Sequence, residues 1–345
     1  MALPTATWAD DPIPVVATFS ILGDMVERIG GEHIELTTLV GPNGDAHVYR
    51  PTPQDARAVA NAEVLFVNGL EFEGWLERLA EAASFSGTEV VATAGIDAIA
   101  FDDDHDDHHG DHEDHEDHDE HDEHGHDDHG HSDHDHDEKE DHNDHAGHDH
   151  DDHDDHGHDH GGHHGHDHGA FDPHAWQSLD NAIIYANNIA AGLSQADPNN
   201  ASDYFANRAT FVAEIEALKV EIDDLMSAIP ADNRTVVTAH DAFGYFAQDY
   251  DMTFVAPQGL STEAEASAAG VAALITQIRD ENISAVFVES ITDSRLLEQI
   301  ANETGAAIGG TLYSDALSDA SGPASTYLQM YRHNATTLFT ALSGN

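Results

Sequence analysis

Residues 198–230, PNNASDYFANRATFVAEIEALKVEIDDLMSAIP, decide the fold. Ala, Glu, Leu and Ile dominate the stretch, Pro198 opens it and Pro230 ends it. That composition between two prolines reads as one helix. At 1.5 Å per residue, ~30 residues give a rod of roughly 45 Å. Such a rod can bridge two lobes like a strut.

Both flanks of the rod share one grammar. Before it, residues 14–19 (PVVATF), 34–40, 64–67 and 89–92 read as strands, and residues 21–29, 54–62 and 75–82 as helices. Residues 41–53, rich in Gly and Pro, must be a loop. Residues 179–193 form a further helix. After the rod, strands at 234–238, 253–256, 285–288 and 307–312 alternate with helices at 242–250, 268–281, 295–304 and 325–342. Strands alternating with helices imply parallel pairing through helical crossovers. The expected fold class is therefore α/β: two lobes with mainly parallel sheets joined by one long rigid helix. The N-terminal lobe takes residues 10–101 and 169–195, the linking helix 196–230 and the C-terminal lobe 231–345.

Residues 102–168 belong to neither lobe. Of the 68 acids, 11 bases and 30 His in the chain, this tract holds 30 acids, one Lys and 25 His, for a charge of −29; the remaining 38 acids and 10 bases give −28. Repeating DH, DDH and GHDH units with almost no apolar residue cannot bury a core, so the tract is expected to be disordered when free of metal. The whole chain carries −57. Nucleic acid is excluded as a partner, since phosphate contacts need basic patches. Cations are the natural ligands.

There are no cysteines, so a metal site must be built from His, Asp or Glu. No lipid anchor on an N-terminal Cys is therefore expected. Residues 1–9, MALPTATWA, are expected to be the remnant of a signal peptide, with Thr7 and Ala9 as small residues before the cleavage point.

Five His lie outside the tract: His33, His47, His174, His240 and His333. His47 sits in the loop GPNGDAHVYRPTP just after a strand, and His240 directly follows the strand at 234–238. Asp315, in LYSDALS, follows the strand at 307–312. Ligands of open α/β sheets bind beyond the carboxyl ends of strands. His174 lies in DPHAW, just after the tract. Three imidazoles and a carboxylate, two donors from each lobe, make a tetrahedral set in the interlobe cleft that suits zinc. With four protein donors no position stays open for a substrate, which argues for a carrier rather than an enzyme. There is no HExxH on a helix and no nucleophile–base pair. His33 and His333 read as ordinary surface residues.

The elements GPNGDAHVYRPTP, NGLEFEGWL, DPHAW, TAHDAFGYF, GLSTEAE, VFVES and LYSDALS stand in an order that resembles the cluster A-I solute-binding proteins. These are the metal-binding subunits of zinc and manganese ABC importers, and the resemblance is to the zinc-uptake (ZnuA-like) type. It implies one tight Zn2+ held by His47, His174, His240 and Asp315. Manganese-type members generally carry Glu where this chain has His240. Glu263, Glu265 and Glu289 match family motifs and are expected in structural or supporting roles. The resemblance further implies a periplasmic monomer, secreted by a signal peptide, that delivers zinc to an ABC permease, with an accessory periplasmic zinc chaperone as a further partner. Zinc-type members carry a His-rich loop where this chain has its tract. Weak accessory sites are accordingly expected at His105, His108, His112, His115, His118, His121, His124, His126, His129, His131, His134, His136, His156, His158, His160, His163, His164, His166 and His168. The alternatives are a periplasmic zinc buffer or metallochaperone, and a manganese-type importer subunit.

Overall fold

The computed structural model describes residues 11–100 and 171–344. The expected signal-peptide remnant and the whole His/Asp tract lie outside them. The first lobe is built on strands β1 (Ile13–Phe19), β2 (Ile34–Val40), β3 (Val64–Val67) and β4 (Thr88–Val91), with helices α1 (Ser20–Gly30), α2 (Pro53–Asn61) and α3 (Leu76–Ala83). Helix α4 (Leu179–Ala196) follows the tract and runs into α5 (Ala201–Ser227). The second lobe carries β5 (Thr235–Val237), α6 (Gly244–Tyr250), β6 (Thr253–Val255), α7 (Ala268–Asp280), β7 (Ala285–Glu289), α8 (Arg295–Thr304), β8 (Ala307–Leu312) and α9 (Tyr327–Leu342).

Each sheet is parallel throughout, ordered β2-β1-β3-β4 in one lobe and β6-β5-β7-β8 in the other. The two orders are the same order. Each lobe therefore has one point where the chain reverses its direction of travel across the sheet, between β1 and β3 and between β5 and β7. At such a point the crossovers leave on opposite faces and open a crevice at the carboxyl ends of the strands.

Strands buried on both faces read as unbroken apolar runs, and VLFV of β3 is buried at all four positions. In the second sheet, alternation divides the core. Val236, Ala285 and Phe287 join one hydrophobic cluster that runs through α5, α6 and α9 into the first lobe. Val237 and Val286, one residue out of phase, face a smaller cluster under α7 and α8. The lobes thus share the larger core, and the second lobe adds a smaller one of its own.

Helix α5 is the strut. Its buried residues, Tyr204, Phe211, Ile215, Leu218, Ile222 and Met226, are spaced three, four or seven apart and form one stripe. It packs on α1 and α4 of the first lobe and on α9 of the second. At 27 residues it spans about 40 Å. Pro198–Asn200 is a separate 3₁₀ turn before it.

Candidate metal centre

Four side chains converge where the carboxyl ends of the two sheets meet. Among the described residues, His47, His174, His240 and Asp315 can each offer one donor atom with all four atoms within 4.8 Å of one another. His47 comes from the loop after β2, His240 follows β5 and Asp315 follows β8. His174 precedes the 3₁₀ turn Ala175–Gln177. The closest approaches involve Nε2 of each ring: 3.2 Å from His47 and 3.1 Å from His240 to Asp315 Oδ2, 3.6 Å from His174 to Asp315 Oδ1, and 3.4 Å between His47 and His174. A tetrahedron with bonds of ~2.0–2.1 Å has edges of about 3.3–3.4 Å. The observed spacings bracket that value.

The cluster is dry. His174, His240 and Asp315 are fully buried. Phe72 packs edge-on against His47 at 4.9 Å, and Trp176 against His174 at 5.3 Å. Phe19 completes the wall, 4.9 Å from both Phe72 and Trp176. Both ring nitrogens of His240 and Oδ1 of Asp315 sit at ion-pair distances from their neighbours but without aligned hydrogen bonds. Buried polar atoms are rarely left so. A cation coordinated at His240 Nε2 and at the Asp315 carboxylate satisfies two of the three, and His240 Nδ1 faces Glu289 instead.

Two of the rings are held from behind. His174 Nδ1 lies 2.7 Å from Asp172 Oδ1, and His240 Nδ1 lies 2.6 Å from Glu289 Oε2. The other oxygen of Glu289 accepts the backbone N–H of Ala239 and His240, at 2.7 and 3.0 Å. A carboxylate behind an imidazole fixes its orientation, leaves Nε2 for the metal and makes the ring more basic. Glu289 is thus the glutamate that supports a ring. Glu263 and Glu265 are exposed, with Glu263 N–H donating to Ser261 Oγ at 3.1 Å. Sequence reasoning missed Asp172 and Asp45. The signal for both was present, because each stands two residues before a His and accepts that His backbone N–H at 2.9 Å, a local bond typical of Asp.

The electrostatics follow from this packing. Burial pulls the His240 imidazole down, but Glu289 and Asp315 outweigh it and hold its pKa well above the ordinary value. Burial likewise pushes Asp315 up, yet the charges on His240 and His174 keep it well below the carboxylate range. Without a cation, a proton on His240 offsets the carboxylates beside it; a divalent ion does so instead by displacing that proton. Among the described residues, the two remaining His lie away from the cluster. His33 Nε2 is 2.9 Å from Asp203 Oδ2 on α5, and His333 Nε2 is 3.0 Å from the Thr311 carbonyl.

The profile of the family described as zinc-uptake complex component A, periplasmic, matches residues 15–341. The manganese-binding lipoprotein MntA of Halalkalibacterium halodurans is 27% identical over 332 residues, 96% of this chain and 89% of that protein. The iron-binding protein YfeA of Yersinia pestis is 28% identical over 324 residues, 94% and 84%. Among solved structures, the Mn-bound periplasmic metal-binding protein of Candidatus Liberibacter asiaticus superposes with a TM-score of 0.70 at 25% identity, covering 95% of this chain and 98% of that one. The periplasmic zinc-binding protein TroA of Treponema pallidum shares the fold at a TM-score of 0.74 and 23% identity, over 96% and 99%. These proteins are named for three different metals, so likeness alone leaves the metal open. The chain belongs to the ZnuA family, the metal-binding, substrate-binding subunits of ABC importers.

Proposed function

We infer that this protein is the extracytoplasmic zinc-binding subunit of its importer, capturing one Zn2+ through His47, His174, His240 and Asp315 and handing it to a membrane permease. The observation that carries this reading is the donor set: three buried imidazoles and one carboxylate at spacings of 3.1–3.6 Å. Imidazole-rich tetrahedral sites suit zinc, whereas manganese favours oxygen donors and higher coordination. The periplasmic description of the family supports the location. Among the described residues no helix is long and apolar enough to cross a membrane. The His/Asp tract, residues 102–168, adds weak sites on a tether that raise the local zinc concentration.

Manganese is the second reading, because a relative is named for it. Paired Zn2+ and Mn2+ titrations on protein lacking residues 102–168 separate the two. Zinc should bind at least about a hundredfold more tightly, and His240→Glu should narrow that ratio about tenfold or more by exchanging nitrogen for oxygen. Equal affinities, or a ratio indifferent to His240→Glu, would refute the zinc assignment.

A further inference from the structure

His47 differs from the other two rings: no carboxylate backs its Nδ1 among the bonds that the structure shows, and it alone of the four is not fully buried. Its position depends on its loop. Asp45 shapes that loop with one oxygen, accepting the His47 backbone N–H at 2.9 Å. Its second oxygen is spent elsewhere. Oδ2 accepts the hydroxyl of Thr262 at 2.6 Å, and Thr262 belongs to the opposite lobe.

The Thr262 loop, residues 256–267 between β6 and α7, is itself tied to a second metal-facing residue. Gln258 pairs with His240 in a parallel bridge, and the Asp241 N–H donates to the Gly259 carbonyl at 3.1 Å. Gln258 also holds the turn, donating to the Ala264 carbonyl at 2.8 Å. The loop therefore runs beside His240 in one lobe and, at its middle, reaches Asp45, two residues before His47, in the other. Outside it lies a cavity of about 580 Å³ whose walls include Asp45, Ala239, Thr262, Glu265 and Asp293.

We propose that residues 256–267 form a strap across the metal cleft, and that the Thr262–Asp45 bond is its clasp. Closed, it holds the His47 loop in the coordinating position. Open, it frees His47 to leave first and exposes the cluster to the cavity. Thr262 is thus a positioning residue that sets how fast metal escapes. This inference rests on the cleft being the metal site.

The test uses the full chain loaded with Co2+, whose strong visible absorption in four-coordinate geometry reports the cleft separately from six-coordinate ions elsewhere. Release into excess EDTA is followed by stopped flow. Thr262→Val removes the clasp while leaving the Asp45–His47 bond intact. Release should quicken about tenfold to a hundredfold, the worth of one hydrogen bond to a carboxylate. Thr262→Ser should restore the wild-type rate. Thr276→Val, the same change on exposed α7, should have no effect. A wild-type rate in Thr262→Val, a fast rate in Thr262→Ser, or an equal acceleration in Thr276→Val would overturn the strap. A wild-type protein with no four-coordinate band would instead defeat the cleft site, and the strap with it.

Discussion

His47 and His174 reach the same point from the same local frame, Asp-X-His. In each, the Asp carboxylate takes the His backbone N–H at 2.9 Å. Asp172 then turns back on its own ring, whereas Asp45 reaches across the cleft. Gly244 makes the first choice possible. A Cβ there would lie 2.5 Å from Asp172 Oδ2, so only a glycine leaves the carboxylate its place behind His174. Gly244→Ala should therefore weaken metal binding about tenfold to a hundredfold, the usual cost of losing a ring-supporting carboxylate, with far-UV circular dichroism unchanged. Wild-type affinity in that variant would show that Asp172 does not matter to the site. At this scale the sequence displayed the four side chains that converge and the Asp-X-His frames. It could not display which carboxylate each ring would find, because Glu289 is 49 residues from His240 and only β5–β7 pairing brings them together.

Among the elements, α9 shows how the lobes are joined. Its first turn belongs to the second lobe, yet the Tyr327 N–H donates to Asp24 Oδ2 of α1 at 2.9 Å. Burial pushes the Asp24 carboxyl up to about 6, more than the Tyr327 N–H and Arg28 can pull it down. A folded pKa above the unfolded value means that the fold prefers Asp24 protonated. Its destabilising effect is absent below the ordinary carboxylate range, grows as pH rises from about 4 to 6, and is complete above that. Asparagine can accept the same bond without a charge. Asp24→Asn should accordingly be more stable than wild type at pH 7.5, by on the order of 1–3 kcal/mol, with the gap closing towards pH 4. Denaturant unfolding at the two pH values measures this, and a gap independent of pH would contradict it. Element types were legible from periodicity, but several ends were not. The helix expected from residue 242 starts at Gly244, because the Ala242 N–H is turned back onto the His240 carbonyl. The long helix starts at Ala201 rather than Pro198, because Asp197 accepts from Asn200 Nδ2 and the Tyr204 hydroxyl and shapes a 3₁₀ turn there. Such ends are set by side-chain contacts that periodicity does not encode.

At the scale of the molecule, two lobes share their larger core. The hydrophobic cluster is continuous from β1 through α5 to α9. Direct bonds reinforce it where the lobes meet: Trp176 Nε1 and Gln177 Nε2 both donate to the Ser314 carbonyl at 2.8 Å, and the Asn43 N–H donates to the Leu317 carbonyl at 2.8 Å. Trp176, Gln177 and Ser314 flank His174 and Asp315 in sequence, so the same interface that joins the lobes sets two of the four donors. A cleft preset in this way needs little rearrangement to receive a cation. The tract adds 25 further His. Which of the two binds zinc tightly decides the role of each. Competition titration with zinc should be run on the intact protein, on protein lacking residues 102–168, and on that deletion with His240→Ala. One tight site that survives the deletion and collapses with His240→Ala is the predicted result. Loss of all tight binding with the tract would contradict it and make the tract the binder.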